Sequence, residues 1–199
     1  MIFDWHIMLG IIAGLIAMFA VVPYIKDILH GTTRPNIFSW ALWEILLITA
    51  VLAQFSAGAS WSVAMVIGDV IGTGCVVGLC LFGYGYGKYG WLEWTCTALA
   101  VVAIVSWQTT QQPVLAILFA VLADALAATP TVVKAFRDPW SEAPTQFFLI
   151  AFASVLAVAS STIFNPANLL FPAYLLLVNG LIGSLAFFGR RLKHRVDLE

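Results

Sequence analysis

Seven long apolar runs constrain the fold more than any other feature of the sequence. They cover Ile7–Ile25, Ile37–Ser56, Ser62–Gly83, Trp91–Trp107, Pro113–Val133, Thr145–Ile163 and Asn168–Gly189. Each run is close to the roughly 20 helical residues that cross about 30 Å of hydrocarbon. Because 62% of the residues are hydrophobic and only 10% are charged, a soluble surface cannot be built from this chain. The sequence therefore predicts an all-α membrane protein with seven transmembrane helices.

The basic residues predict how these helices are oriented. They lie only after the odd-numbered runs, at Lys26 and Arg34, at Lys88, at Lys134 and Arg137, and at Arg190, Arg191, Lys193 and Arg195. Lysine and arginine concentrate on the cytoplasmic side of membrane proteins. We therefore expect the N-terminus outside and the C-terminus in the cytoplasm, in a bacterial-type inner (plasma) membrane.

A pattern in Val21–Trp43 recurs in Ala128–Phe148. Each stretch reads as the end of an apolar helix, a proline, a basic loop, a second proline and an aromatic helix start. We align the first prolines, Pro23 with Pro130, and the second prolines, Pro35 with Pro144, and we expect the first pair to end helices. A duplicated unit of this size indicates an internal structural repeat.

The repeat divides the chain into three parts. We assign residues 1–83 to a first three-helix repeat, 84–110 to a connector with the fourth helix, and 111–197 to a second three-helix repeat. Residues 198–199 are interpreted as a cloning remnant. Because three helices are an odd number, the fourth gives both units the same orientation, so the prediction is a 3+1+3 parallel pseudo-repeat.

This architecture, with prolines towards the inner ends of its first and fifth helices, resembles the SWEET and PQ-loop superfamily, and it is similar to PnuC-type vitamin transporters. The Pro-Gln dipeptide of PQ-loop proteins is replaced by Pro23-Tyr24 and Pro130-Thr131. The resemblance implies a carrier that works by alternating access. It also implies gate or hinge roles for Pro23, Pro130, Pro35 and Pro144.

Two acids inside the apolar runs are the main candidates for chemistry. Asp69 and Asp124 lie roughly 12–16 Å from the starts of their helices, near the bilayer midplane, and Asn179 has a similar depth. A charge there costs at least ~2.5–3.5 kcal/mol, so such groups face the protein interior or a wet cavity. The alternative is that both acids are neutral packing residues. The resemblance implies that Asn179 and Asp69 hold substrate at mid-membrane.

Trp40, Trp43 and Glu44 form one stripe at the start of the second helix, at spacings of three and four residues. Aromatic faces beside a carboxylate suit a ring-bearing or cationic ligand. A Trp-x-x-Trp pair is also similar to the ligand-stacking motif of PnuC-type carriers. The alternative is a belt of tryptophans at the membrane interface.

We predict a SWEET-like carrier for a small polar or ring-containing metabolite, with proton coupling through the acids as an option. Substrate binding is assigned to Asp69, Asp124, Asn179, Trp40, Trp43 and Glu44. The alternative is a non-transporting membrane receptor or structural protein on the same scaffold. The expected partners of the protein are a small-molecule substrate and the lipid bilayer, with protons as an option, and a homo-oligomer stays open.

Enzyme and nucleic-acid functions are not supported by the sequence. His6, His30 and His194 lie at the termini or in a loop, so histidines cannot build a metal cluster inside the membrane. The chain has neither a glycine-flanked serine nucleophile nor a phosphate-binding loop. Since the net charge is −1, it also lacks a basic footprint for nucleic acid. We therefore predict no enzymatic activity and no cofactor.

Overall fold

The computed structural model describes residues 4–86, residues 113–196 and the separate positions 90, 91, 94, 95, 97, 98, 101, 102, 105 and 109. The described residues contain no strand; the separate positions from 91 to 109 are helical, and the two continuous ranges form six α-helices. The helices are α1 (Trp5–Leu29), α2 (Ile37–Ser56), α3 (Val63–Leu79), α4 (Pro113–Arg137), α5 (Pro144–Ser160) and α6 (Pro166–Val196). A π-helical turn, Cys80–Tyr84, extends α3, and a 3₁₀ turn, Pro139–Ser141, precedes α5. The prediction of an all-α protein is confirmed.

Some of the predicted features fall where the structure gives no description. Most of the predicted fourth span, Trp91–Trp107, lies outside the described residues, and so does Lys88. The same holds for residues 197–199 at the C-terminus. By their residue ranges, the helices α4, α5 and α6 correspond to the fifth, sixth and seventh predicted spans.

Five of the helices are long and apolar enough to cross a membrane: α1, α2, α3 with its π-helical turn, α4 and α6. The apolar α5 is shorter, with 17 residues. Large side chains cover the outside of the bundle, and Phe19, Leu52 and Leu177 are 59%, 62% and 71% exposed. Such surfaces are stable against lipid chains and would be unusual in water. The chain is thus a multi-pass membrane protein, as predicted.

Local sequence signals define several helix ends. The Asp4 side chain accepts a hydrogen bond from the His6 N–H at 3.0 Å, and the Asn36 side chain accepts one from the Phe38 N–H at 3.0 Å. Asp and Asn in this position satisfy backbone donors that the first helical turn leaves free. Gly31 follows α1 with a positive φ of 72°, a conformation that glycine adopts without steric cost.

The two aligned prolines lie inside helices, so the prediction that they end helices is wrong. The helix α1 continues past Pro23 to Leu29, and α4 continues past Pro130 to Arg137. A proline removes one backbone donor, and the helix can continue when its later turns pack well. Tyr24 and Ile28, which follow Pro23, are almost completely buried. Both prolines therefore remain candidate hinges inside continuous helices.

The helices pack as two groups of three. In the first group α3 packs against both α1 and α2, and in the second α6 packs against both α4 and α5. The groups meet where α1 packs on α5 and where α2 packs on α4. Buried alanines occupy much of the shared core, including Ala13, Ala17 and Ala20 of α1 and Ala153 and Ala157 of α5. Small side chains let membrane helices approach closely.

The contact between α1 and α3 is close enough to require glycine. A β-carbon built on Gly68 would overlap the carbonyl oxygen of Gly14. A β-carbon on Gly14 would in turn lie 2.7 Å from the carbonyl oxygen of Ala64. Glycine at these positions fixes α3 against α1, and this packing sets the position of Asp69, the residue after Gly68.

Candidate functional site

A cavity lies in the middle of the bundle, between the two groups of helices. Its polar lining consists of Asp69 and Thr73 from α3, Asp124 from α4, Gln146 from α5 and Asn179 from α6. It holds about 40 Å³ of space open to the centres of water molecules. Since one water needs roughly 10–15 Å³ by this measure, the cavity accepts a few waters. A metabolite fits only after the helices move apart.

Most of the residues that the sequence predicted for substrate binding meet at this cavity. Trp40, Trp43, Asp69, Asp124 and Asn179 all line it. Glu44 is outside the lining, and its carboxylate lies beside α3, 3.4 Å from the β-carbon position of Gly74. The Glu44 Oε2 atom is buried and has no hydrogen-bond partner among the described residues. The four predicted gate prolines also lie outside the lining.

Asp124 is held by a contact that the sequence did not indicate. The Tyr174 hydroxyl on α6 donates a hydrogen bond of 2.7 Å to Asp124 Oδ2. Asp124 is only 2% exposed, so this bond lies inside the protein. The only sequence signal for Tyr174 is a tyrosine well inside an apolar run, five residues before Asn179. Tyr174 therefore joins α6 to the acid on α4.

The two amides of the cavity offer acceptor oxygens. Asn179 Nδ2 donates to the Leu175 carbonyl at 2.9 Å, which leaves Oδ1 for other partners. Gln146 is 6% exposed, and its Oε1 atom has no hydrogen-bond partner among the described residues. Sequence reasoning missed Gln146, which lies two residues after Pro144 at the start of the sixth apolar run. Both amides leave an acceptor that a ligand or water could use.

An aromatic cluster closes one side of the cavity. The rings of Trp40 and Trp43 meet edge to face, with centroids 5.4 Å apart and an angle of 79°. Tyr24 packs on Trp40 with centroids 4.9 Å apart, and Phe147 lies 6.4 Å from Tyr24. Trp40 is only 3% exposed. It is thus inside the bundle, whereas a tryptophan of an interfacial belt would face the lipid headgroups.

Beyond the aromatic cluster, a group of hydrogen bonds closes the end of the bundle that carries Lys134. We call Tyr24, Arg34, Lys134, Glu142 and Arg190 the Lys134 lock. Lys134 Nζ pairs with Glu142 Oε1 at 2.9 Å and donates to the Arg34 carbonyl at 3.0 Å. The Tyr24 hydroxyl donates to Glu142 Oε2 at 3.1 Å, and Arg190 donates to the Glu142 carbonyl at 2.6 Å.

Glu142 is the most buried charged group of the Lys134 lock, at 2% exposed. Burial raises the pKa of Glu142 above its ordinary value, and the Lys134 ammonium opposes that rise. An acid in this position depends on its lysine, because a buried carboxylate without a partner is strongly unfavourable. The lock is therefore sensitive to the loss of either group.

A smaller contact closes the opposite end of the bundle. The Thr162 N–H donates to Ser60 Oγ at 2.9 Å, and the two hydroxyl oxygens are 3.3 Å apart. Ser161 is fully buried beside them and donates to the Ile163 carbonyl at 3.0 Å. We call this the Ser60 contact. It joins the loop between α2 and α3 to the loop between α5 and α6, at the end of the bundle opposite the Lys134 lock.

Comparisons with known protein families, with curated proteins and with solved structures gave no match. Among the described residues, no group of three or more His, Cys, Asp or Glu side chains could hold a metal ion. The candidate functional site is therefore the cavity, together with the Lys134 lock and the Ser60 contact.

Proposed function

We propose that this protein is a SWEET-like carrier that moves a small polar or ring-containing metabolite by alternating access across a bacterial-type inner membrane. The observation that carries this proposal is a polar cavity in the middle of the bundle, with a separate contact between the two helix groups at each end of the bundle. A carrier needs a central site that opens to one side while the other side stays closed. A conformation in which both contacts hold would correspond to the occluded state of such a cycle.

The helix contacts support a 3+1+3 parallel pseudo-repeat. The two groups have equivalent contacts. If α1 is exchanged with α4, α2 with α5 and α3 with α6, each major helix contact becomes another contact that is present. The contact of α1 with α3 becomes that of α4 with α6, and the contact of α1 with α5 becomes that of α4 with α2. A pseudo-twofold axis along the membrane normal would produce this pattern. The predicted fourth helix would connect the two units.

The basic loops support the proposed orientation. The loop between α1 and α2, the loop between α4 and α5, and the end of α6 meet at the Lys134 lock. The positive-inside rule then makes this end cytoplasmic. The Ser60 contact would face outside, which agrees with an external N-terminus.

Each closure joins the first group of helices to the second. Tyr24 and Arg34 of the lock belong to the first group, and Lys134 and Glu142 belong to the second. In the same way, Ser60 belongs to the first group and its partner Thr162 to the second. Rocking of one group against the other would break one closure while the other holds. Pro23 and Pro130 would serve as hinges, because each leaves a backbone carbonyl free one turn earlier.

A pair of cysteine variants in an otherwise cysteine-free protein tests the carrier proposal without knowledge of the substrate. Val178 lines the cavity, while the neighbouring Leu177 is 71% exposed on the lipid-facing surface. We expect Val178→Cys to react with a small, membrane-impermeant thiol reagent added to either side of proteoliposomes. Leu177→Cys, which faces hydrocarbon, is the matched control and should react slowly from both sides.

The outcome separates the carrier from its alternative. Reaction of Val178→Cys from both sides requires a cavity that opens to each side of the membrane. A receptor or structural protein on this scaffold would keep the cysteine protected or expose it to one side only. Protection from either side would therefore contradict the carrier proposal.

A further inference from the structure

The cavity contains acids and no base among its described lining residues. Asp69 and Asp124 are 9% and 2% exposed, and the lining includes no lysine, arginine or histidine. Lys134 is ten residues beyond Asp124 on α4, about 15 Å along the helix axis, and it is engaged in the lock. Negative charge that develops in this cavity is therefore balanced by a proton or by a cation from outside the protein.

The cavity offers acceptor oxygens from two amides. Gln146 is only 6% exposed, and its Oε1 atom has no hydrogen-bond partner among the described residues. Asn179 Nδ2 donates to the Leu175 carbonyl, and the Oδ1 atom can accept a hydrogen bond from a ligand. A buried acceptor without a donor costs about 1–3 kcal/mol. A ligand that brings N–H groups would remove that cost.

The aromatic cluster adds a second requirement for the ligand. Trp40, Trp43 and Phe147 form one wall of the same cavity. Aromatic faces attract cations by about 0.5–2 kcal/mol, and the attraction is largest when the cation is desolvated. The same wall suits the flat or apolar body of a ligand. A bare metal ion would make no use of this apolar wall.

Resting on the carrier function above, we propose that the substrate is a small organic cation with N–H donors and a flat or apolar body. Its ammonium group would lie between Asp69 and Asp124, where it meets the acceptors of Gln146 and Asn179. Its body would lie against Trp40 and the rest of the aromatic cluster. An anion would meet two acids there, and a neutral sugar would leave protons as the only counter-charge of the acids.

Two compounds of nearly equal shape test this proposal. Benzylammonium and benzyl alcohol differ only in the terminal ammonium or hydroxyl group. Binding of each to the purified full-length protein is measured by calorimetry, with sodium chloride as a third probe. We expect benzylammonium to bind at least tenfold more tightly than benzyl alcohol, and sodium to produce no comparable heat. Equal binding of the two compounds, or a response to sodium alone, would overturn the proposed substrate class.

Three variants test whether the cation binds at the cavity acids. Two of them are alternatives, in case one does not fold. Asp124→Asn should reduce the preference for benzylammonium at least fivefold, and Asp69→Asn should do the same if Asp124→Asn does not fold. Asp27→Asn, near the end of α1 and outside the cavity, changes the charge equally and should keep the preference. A preference that survives both cavity substitutions would place the cation elsewhere and overturn the proposal.

The substrate class and the carrier function fail in different ways. If Val178→Cys reacts from both sides and benzylammonium binds no better than benzyl alcohol, the carrier stands and the cation proposal falls. If benzylammonium binding depends on Asp124 and Val178→Cys reacts from one side only, the cation site stands and the carrier falls.

Discussion

Replacing Lys134 with methionine keeps most of the side-chain bulk and removes the ammonium group that pairs with Glu142. In the closed bundle Glu142 is 2% exposed, and the Tyr24 hydroxyl would be its remaining side-chain donor. Removal of one partner from a buried ion pair costs about 3–5 kcal/mol, because a charge stays buried without compensation. The Lys134 lock should therefore open much more often in Lys134→Met.

In the variant, Glu142 can take up a proton instead of staying buried as an unpaired charge. The free-energy cost of this protonation sets an upper limit on the effect and makes the effect depend on pH. From the ordinary pKa of 4.5, protonation at pH 7.5 costs about 4 kcal/mol, and at pH 5.5 it costs about 1.4 kcal/mol. Each 1.4 kcal/mol changes an equilibrium tenfold. We expect the ratio of open to closed lock to rise about a hundredfold to a thousandfold at pH 7.5, and about tenfold at pH 5.5.

The sign follows from the raised pKa of the buried acid. Because burial raises the pKa of Glu142 in the closed state, its contribution to closure is complete below pH 4.5. This contribution is lost as the pH rises through the raised pKa. Without the Lys134 ammonium, that pKa is higher still, so the loss extends to higher pH.

The assay uses Val178→Cys as a reporter of opening. Its modification rate is measured in inside-out vesicles at both pH values and divided by the rate of an exposed cysteine at Thr32, which corrects for thiol ionisation. Lys26→Met is the matched control, because Lys26 is the exposed lysine near the aligned position of the first repeat. The pair Lys134→Met with Glu142→Gln should recover most of the closure. A corrected rate that stays at the parent value at both pH values would refute the reasoning.

Three further predictions concern packing, coupling and topology. Gly68→Ala should destabilise the protein by more than ~2 kcal/mol in thermal unfolding, since its β-carbon meets backbone, whereas Gly78→Ala, with nothing within 4 Å, should be neutral or slightly stabilising. Asp124→Asn should abolish any pH dependence of substrate flux in liposomes, and an unchanged pH profile would assign the acid a structural role. In cells, Ser56→Cys should react with an impermeant thiol reagent from outside and Thr32→Cys should not; the reverse pattern would exclude the proposed orientation.

The sequence predicted the cavity residues because polar groups are expensive inside a membrane. Asp69, Asp124 and Asn179 each interrupt an apolar run, and groups that interrupt such runs face inward. Helical spacing also placed Trp40 and Glu44 on one stripe, but the structure puts Trp40 at the cavity and Glu44 beside α3. Spacing defines a face of a helix, and it leaves open which neighbouring helix that face contacts.

The closures could not be predicted from the sequence for a different reason. Tyr24 and Glu142 are 118 residues apart, and Ser60 and Thr162 are 102 residues apart. Glu142 lies in a short polar loop, a context in which an acid normally faces water. Its burial depends on the way two distant helix groups meet. No local pattern in the chain records that arrangement.

The stacking of Tyr24 on Trp40 has a thermodynamic consequence for the cavity and the Lys134 lock. Tyr24 touches the cavity wall through its ring and the lock through its hydroxyl, which donates to Glu142. Any occupant that displaces Trp40 therefore also changes the energy of the Tyr24–Glu142 hydrogen bond. Such coupling is reciprocal, so the factor by which an occupant loosens the lock equals the factor by which an open lock tightens the hold on the occupant. Tyr24 thus couples the occupancy of the cavity to the stability of the Lys134 lock.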